Sequence, residues 1–315
     1  MSEETVENLV PKKENDNLLT YDQLPDWYKD NCYIRKYYRP VYKSYKKCIK
    51  SLFQLHNETV NIWSHLLPGS IILSYFLYWI FLKRTDNLID NFIMCNFYIT
   101  IVYLYSGSVS FHIFLCHSEK VFNQYACIDY SGIIALMIGG FMTVVYFLFL
   151  CRPVLQLVYI SANSICGITA LYFMINPKFN TPKYRSLRGI IFIILGLSAV
   201  VPVFHMVYLN GLYFSLNNLY FGHLVIMGLT FIFGAILYIL RFPEKYIGNG
   251  LFDLIGNSHN FHHLGAILGI VQLIYVVENL YAGKMVMDER MRVEELADQI
   301  VCGEADTTYI YGKNF

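Results

Sequence analysis

Seven stretches of the chain are apolar over about the length needed to cross a bilayer: approximately residues 62–82, 92–115, 126–150, 154–176, 189–209, 220–240 and 259–281. Polar punctuation separates them at Lys83-Arg84-Thr85-Asp86, His117-Ser118-Glu119-Lys120, Cys151-Arg152-Pro153, Asn176-Pro177-Lys178, Asn210-Gly211 and Arg241-Phe242-Pro243-Glu244-Lys245. The connections are short, so the pattern predicts an all-α fold, a seven-transmembrane helical bundle over residues 61–283. Residues 1–60 are expected to form a cytosolic N-terminal region and residues 284–315 an extracytosolic tail. In the first of these, Val41 to Leu55 interleaves Lys43, Lys46, Lys47 and Lys50 with apolar and aromatic residues, as a basic amphipathic helix on a membrane surface does. No apolar h-region appears there, so no cleavable signal peptide is expected. Asn57-Glu58-Thr59 is read as a helix start rather than a glycosylation sequon, with Asn57 as the cap and Glu58 in the first turn.

Composition agrees with this class: 56% of residues are hydrophobic, 15% are charged, and the mean hydropathy is +0.40, which excludes an ordinary soluble domain. A net charge of +1 gives no reason to expect nucleic acid as a partner. The eight cysteines contain no CxxC pair, so neither a disulfide framework nor a cysteine-ligated zinc is favoured, and most are read as inert core thiols. Orientation follows from where the basic residues fall near the spans. With the N-terminus cytosolic, Lys43, Lys46, Lys47, Lys50, Lys120, Lys178, Lys183, Arg185, Arg188, Arg241 and Lys245 share that side, against Lys83, Arg84, Arg152, Lys284, Arg290 and Arg292 opposite. The C-terminus is then extracytosolic.

That topology gathers the candidate chemistry at one depth. His259 and His263 open the last segment four residues apart, which stacks two imidazoles on one helical face with the spacing of a metal-binding pair. His112 ends the second segment on the same side and supplies a third ligand. Three histidines with an open position form the ligand pattern of a catalytic Zn²⁺, which lowers the pKa of a bound water toward ~7. Asp129 is a carboxylate within the third span at the same level, costly there unless it has a function or a partner, and Ser108 lies one turn before His112. These two are candidate catalytic groups: Asp129 as general base and then acid, Ser108 as a hydrogen-bond donor to the acid or to a developing oxyanion. His205 and His223 fall at the opposite face, His56, His65 and His117 are read as interfacial or structural, and His262 is turned partly away.

The motifs go further together than separately. Asn57-Glu58-Thr59-Val60-Asn61-Ile62-Trp63-Ser64-His65, Ser108-x3-His112, Cys116-His117-Ser118-Glu119-Lys120, Asp129-Tyr130-Ser131-Gly132, Pro243-Glu244-Lys245 and Ser258-His259-x3-His263 occur in an order and spacing by which the chain resembles the progestin and adipoQ receptor family, that of the adiponectin receptors and haemolysin III-like proteins. Cys48-Ile49-Lys50-Ser51-Leu52-Phe53 running into Asn57 is similar to the Golgi-resident branch that tethers Raf kinase. The resemblance implies seven spans, zinc on His112, His259 and His263, a relation to membrane ceramidases, and Golgi membrane as the location. Asn260-Phe261-His262 departs from the family's Gln followed by two apolar residues and leaves a further imidazole near the metal.

Two readings of function therefore stand. In one, the protein is a Golgi receptor or anchor that sequesters a Raf-like kinase through its N-terminal region and so dampens MAP kinase signalling. In the other, it is a zinc-dependent hydrolase of a lipid amide such as ceramide, with membrane lipid or fatty acid as ligand. Deleting residues 1–40 is expected to abolish kinase capture while sparing the buried site.

Overall fold

In a bilayer the backbone can satisfy its own polar groups only along a helix or around a closed barrel, and each apolar stretch of this chain closes into helix. The computed structural model describes residues 18–176, 179, 182–248 and 250–293. Its α-helices are α1 (Tyr45–Lys50), α2 (Thr59–Leu82), α3 (Leu88–Phe114), α4 (Glu119–Leu148), α5 (Pro153–Ile175), α6 (Arg185–Leu197), α7 (Val200–Asn210), α8 (Leu212–Asn218), α9 (Phe221–Leu240) and α10 (Ser258–Val293). Seven spans result, with α6 and α7 forming one of them over Arg185–Asn210. The step between those two helices has a chemical cause, since Pro202 has no amide to bond back to Ser198 at this point of the helix. Gly211, at φ +79°, ends α7 in a conformation that side chains resist.

The helices reach beyond the apolar runs at some ends. α4 starts at Glu119 rather than 126, and α10 continues to Val293, so residues 284–293 prolong the last helix. Residues 1–17 and 294–315 of the expected terminal regions lie outside the described residues. A buried ion pair makes the longer helices tolerable: Lys284 Nζ on α10 sits 2.7 Å from Asp90 Oδ2 on α3, and Tyr146 donates to the other carboxylate oxygen at 2.7 Å. Removing one partner of such a pair typically costs about 3–5 kcal/mol, because the other is left buried and uncompensated.

Two close crossings set the site. A side chain at Gly132 of α4 would come 2.9 Å from the Cα of Leu104 on α3, and one at Gly265 of α10 would come 3.2 Å from the Cα of Gly234 on α9. Without Cβ atoms at these points the helix axes approach, so Ser108 meets α4 near Asp129, and the start of α10 is pressed against Tyr238. The core lies between, around Trp79, Phe97, Tyr98, Ile101, Phe147 and Val276.

The N-terminal segment is not one amphipathic helix over 41–55. Helix forms at Tyr45–Lys50, capped by Ser44, and continues as a 3-10 turn over Ser51–Phe53, while Tyr42 and Lys43 donate their amides to the carbonyls of Cys116 and His117 at 3.0 and 3.1 Å. Residues 18–57 thereby strap the end of the bundle at which α2, α4 and α10 begin. Asp30 pairs with Arg185, Asn31 donates to Glu244 at 3.0 Å, and the amide of Arg35 donates to Asp253 at 2.8 Å.

Candidate metal centre

His112, His259 and His263 come together at the strapped end of the bundle, with one ligand nitrogen from each lying within 4.8 Å of the others. Their protonation can be read from their partners. Ser64 Oγ donates its single proton to the carbonyl of Asn61 at 3.0 Å, so its 2.9 Å contact with His263 must be donated by Nδ1 of the imidazole. His112 Nδ1 lies 2.8 Å from Glu58 Oε2, and its Nε2 is buried with no hydrogen-bond partner among the described residues. Both rings therefore hold their proton on Nδ1, which leaves Nε2 as the acceptor nitrogen of each, the state a metal ligand requires. Nitrogens about 2 Å from one ion must stand a little over 3 Å apart, so the rings would draw closer on binding it. The residues present fit a metal ion.

A polar chain behind the ligands explains why these rings are held so firmly. Glu58 Oε2 also accepts from Asn61 Nδ2 at 2.7 Å, Asn61 Oδ1 accepts from Asn260 Nδ2 at 2.7 Å, and Asn260 Oδ1 accepts the amide of Gly256 at 2.8 Å. Burial works to raise the Glu58 pKa, but the hydrogen bonds from His112 and Asn61, with the charge of Arg39, overcome this and hold it below the usual carboxylate range. Asn257 caps α10 by accepting the amides of His259 and Asn260, each at 3.1 Å. Arg39, fully buried, donates to the carbonyls of His112 and Ile113 at 2.5 and 3.1 Å and to Ser51 at 2.8 Å. Deleting residues 1–40 would thus remove a support of His112 itself, contrary to the expectation that the site is independent of that segment.

Ser108 is 2% exposed and Asp129 is 8% exposed, and they neighbour each other beside the triad. His65, read from sequence as structural, belongs to this cluster: its ring stacks on His263 at 3.8 Å and its Nδ1 lies 2.9 Å from Ser108 Oγ. His262 stands outside the triad and packs on Tyr238 at 5.2 Å. His205 and His223 pair instead with Tyr159 and Gln272, away from the cluster. His56 donates from Nε2 to the carbonyl of Ser51 while Nδ1 accepts the amide of Glu58, and burial pushes its pKa down to about 3, so it is a neutral structural link. Asn57 does not cap α2, because Glu58 occupies the cap position and turns its carboxylate to His112. The overlooked residues Glu58, Asn61, Ser64 and His65 had a legible signal: polar side chains three or four apart along one face of an apolar helix.

A cavity of 480 Å³ leads to the cluster, with Trp27, Tyr28 and Tyr38 of the strap on one side and Glu58, His112, Asp129, Arg185 and His259 on the other. Arg185 is 3% exposed, its guanidinium lies 3.8 Å over the ring of Tyr238, and its Nε and Nη2 find no hydrogen-bond partner among the described residues.

Because the Glu58 carboxylate sets both the tautomer and the angle of His112, Glu58→Gln should weaken metal affinity by about 10–100-fold. Competition titration with a chromophoric chelator measures this. Unchanged affinity would mean that the contact is incidental.

Residues 53–274 match the family model described as "Haemolysin-III related". The chain is 35% identical over 247 residues to the adiponectin receptor protein of Drosophila melanogaster, covering 78% of this chain and 55% of that protein. It is 32% identical over 266 residues to progestin and adipoQ receptor-like protein 1 of Caenorhabditis elegans, covering 84% of this chain and 61% of the relative. To human progestin and adipoQ receptor family member 3 it is 32% identical over 267 residues, with 82% and 84% covered. The aligned region thus spans little more than half the length of the first two.

Proposed function

We propose, for a chain that belongs to the haemolysin-III-related family of multi-pass membrane proteins together with the adiponectin and progestin and adipoQ receptors, that its working centre is a zinc site able to hydrolyse a lipid amide of the ceramide class. The observation that carries this reading is the bare, buried Nε2 of His112 in a three-histidine cluster that has Asp129 and Ser108 beside it and opens on the 480 Å³ cavity. His112, His259 and His263 would hold the ion. Zinc supplies Lewis acidity and activates water at neutral pH.

The chain's own groups have distinct tasks. Asp129 takes a proton from the attacking water and returns it to the leaving amine. Ser108, placed between His65 and Asp129, gives its one hydroxyl proton to that carboxylate and orients it. Arg185 sits with unpaired donors in the same cavity, suited to the carboxylate of a fatty-acid product. The test is release of free fatty acid from a panel of lipid amides by zinc-loaded protein in nanodiscs; no release from any of them would overturn the reading.

A second reading, a Golgi anchor for a Raf-like kinase, is supported by the outer face of the strap. Ile49, Phe53 and Leu55 are 49%, 79% and 65% exposed beside Lys46 and Lys50, an apolar and basic surface. It requires the strapped end to be cytosolic, as the charge distribution along the chain indicates. With Cys32, Cys166 and Cys302 changed to serine, a cysteine at exposed Lys46 should react with an impermeant maleimide from the cytosolic face of sealed vesicles, and one at exposed Asp86 only from the opposite face. The reverse pattern would remove both the orientation and the kinase anchor.

A further inference from the structure

Two cysteines that motif reading left as inert core thiols meet where the strap joins the bundle. Cys48 of α1 and Cys116, just after α3, place their sulfurs 3.7 Å apart, and neither is exposed. Their backbones are already held in register, since the adjacent Tyr42 and Lys43 bond to the carbonyls of Cys116 and His117. Moving the sulfurs to bonding distance therefore needs a side-chain adjustment and no refolding. We propose that Cys48 and Cys116 are an oxidisable dithiol, and that their disulfide locks the strap over the metal-site cavity.

The surroundings suit this chemistry. The contact with the Cys48 sulfur holds the Cys116 pKa below its ordinary value; the charge of Arg39 acts in the same direction, against burial. Cys48 is pushed the other way, by that hydrogen bond first and then by burial. Tyr28, Ile34, Tyr38 and Leu115 pack with the two thiols and also line the cavity, so a small neutral oxidant in the cavity is one side-chain layer from the sulfurs. With a hydroperoxide as oxidant, the Cys116 thiolate attacks one peroxide oxygen, the O–O bond breaks, and a sulfenic acid and one water form when the oxidant is hydrogen peroxide. Cys48 then attacks that sulfur; the S–S bond forms, the S–O bond breaks, and a second water leaves with the Cys48 proton. Two thiols are oxidised and one peroxide is reduced.

The consequence is mechanical. Cys116 lies four residues beyond His112, whose carbonyl is gripped by Arg39 of the same strap. A covalent tie at this point fixes the lid of the cavity relative to one metal ligand, and it lies outside the apolar spans.

The experiment uses the full-length protein in nanodiscs with its metal bound. After hydrogen peroxide treatment and alkylation of free thiols, peptide mass spectrometry should find Cys48 and Cys116 joined, with the link lost on reduction. Thermal unfolding should shift upward by several degrees in the oxidised form and return with dithiothreitol. In Cys48→Ala the sulfenic acid has no resolving partner, so dimedone should label Cys116, and should label it far less in the unaltered protein. Exposed Cys32 reports that oxidant was present. Its oxidation with neither a 48–116 link nor a dimedone adduct on Cys116 would overturn the proposal. A link with no change in thermal midpoint would overturn the locking role.

Discussion

Asp129→Asn should leave the metal in place and lower lipid-amide hydrolysis by about two orders of magnitude or more. The substitution keeps the shape of the side chain and its contact with Ser108, and Asp129 is not one of the three residues whose ligand atoms converge. What it removes is the group that can accept and return a proton beside the cluster. The decisive comparison is wild type with Asp129→Asn at equal bound zinc, measured as fatty acid released per protein and, separately, as metal content. Equal rates would show that the proton is carried by another group. Lost metal would move Asp129 from the reaction to the binding of the ion. A slow variant with full zinc is the result that the proposed hydrolase requires. Ser108→Ala should have a smaller effect of the same kind, because Ser108 acts through the carboxylate and through His65.

Much of this arrangement could be read along the chain, and the parts that could not have specific causes. Apolar length identifies the spans because a membrane leaves the backbone no alternative to helix. Length and composition were weakest at the helix ends. Asp90, Glu278 and Lys284 look like surface residues when helices are bounded by charge, yet Asp90 and Lys284 neutralise one another across α3 and α10 in the interior, and Tyr98 donates to Glu278. Such pairing joins residues almost two hundred positions apart and leaves no local pattern. The three histidines were legible because two share a helical face and the third follows from counting spans. Their supports were not, because a hydrogen bond such as Glu58 to His112 depends on how the entry to α2 is angled against the end of α3. The strap departs from its sequence pattern for a related reason. Its alternation of Lys with apolar residues fits an amphipathic helix, but Tyr42 and Lys43 find better partners in the carbonyls left open after α3.

Removing the ligands should have the other large effect. His112→Ala, or His259→Ala together with His263→Ala, should abolish stoichiometric zinc and lower the thermal midpoint, while His205→Ala leaves the zinc in place. The ligands come from α3 and α10, far apart in sequence, so only the folded bundle presents them together. Binding to the native state alone stabilises it by linkage, by about 4 kcal/mol when free metal stands a thousandfold above the dissociation constant. His112→Ala also strips Glu58 of the partner that holds its carboxylate ionised at the edge of the bundle, so its stability loss should exceed that from chelating the metal out of the wild-type protein. That excess separates the ion's contribution from the imidazole's own. His205 is the control because its ring is tied to Tyr159 at 2.6 Å, away from the cluster. Metal analysis and thermal unfolding of the three variants, each with and without chelator, check every step. Full metal content in His112→Ala would dissolve the triad, and equal loss from His205→Ala would show that zinc content reports general misfolding rather than a site.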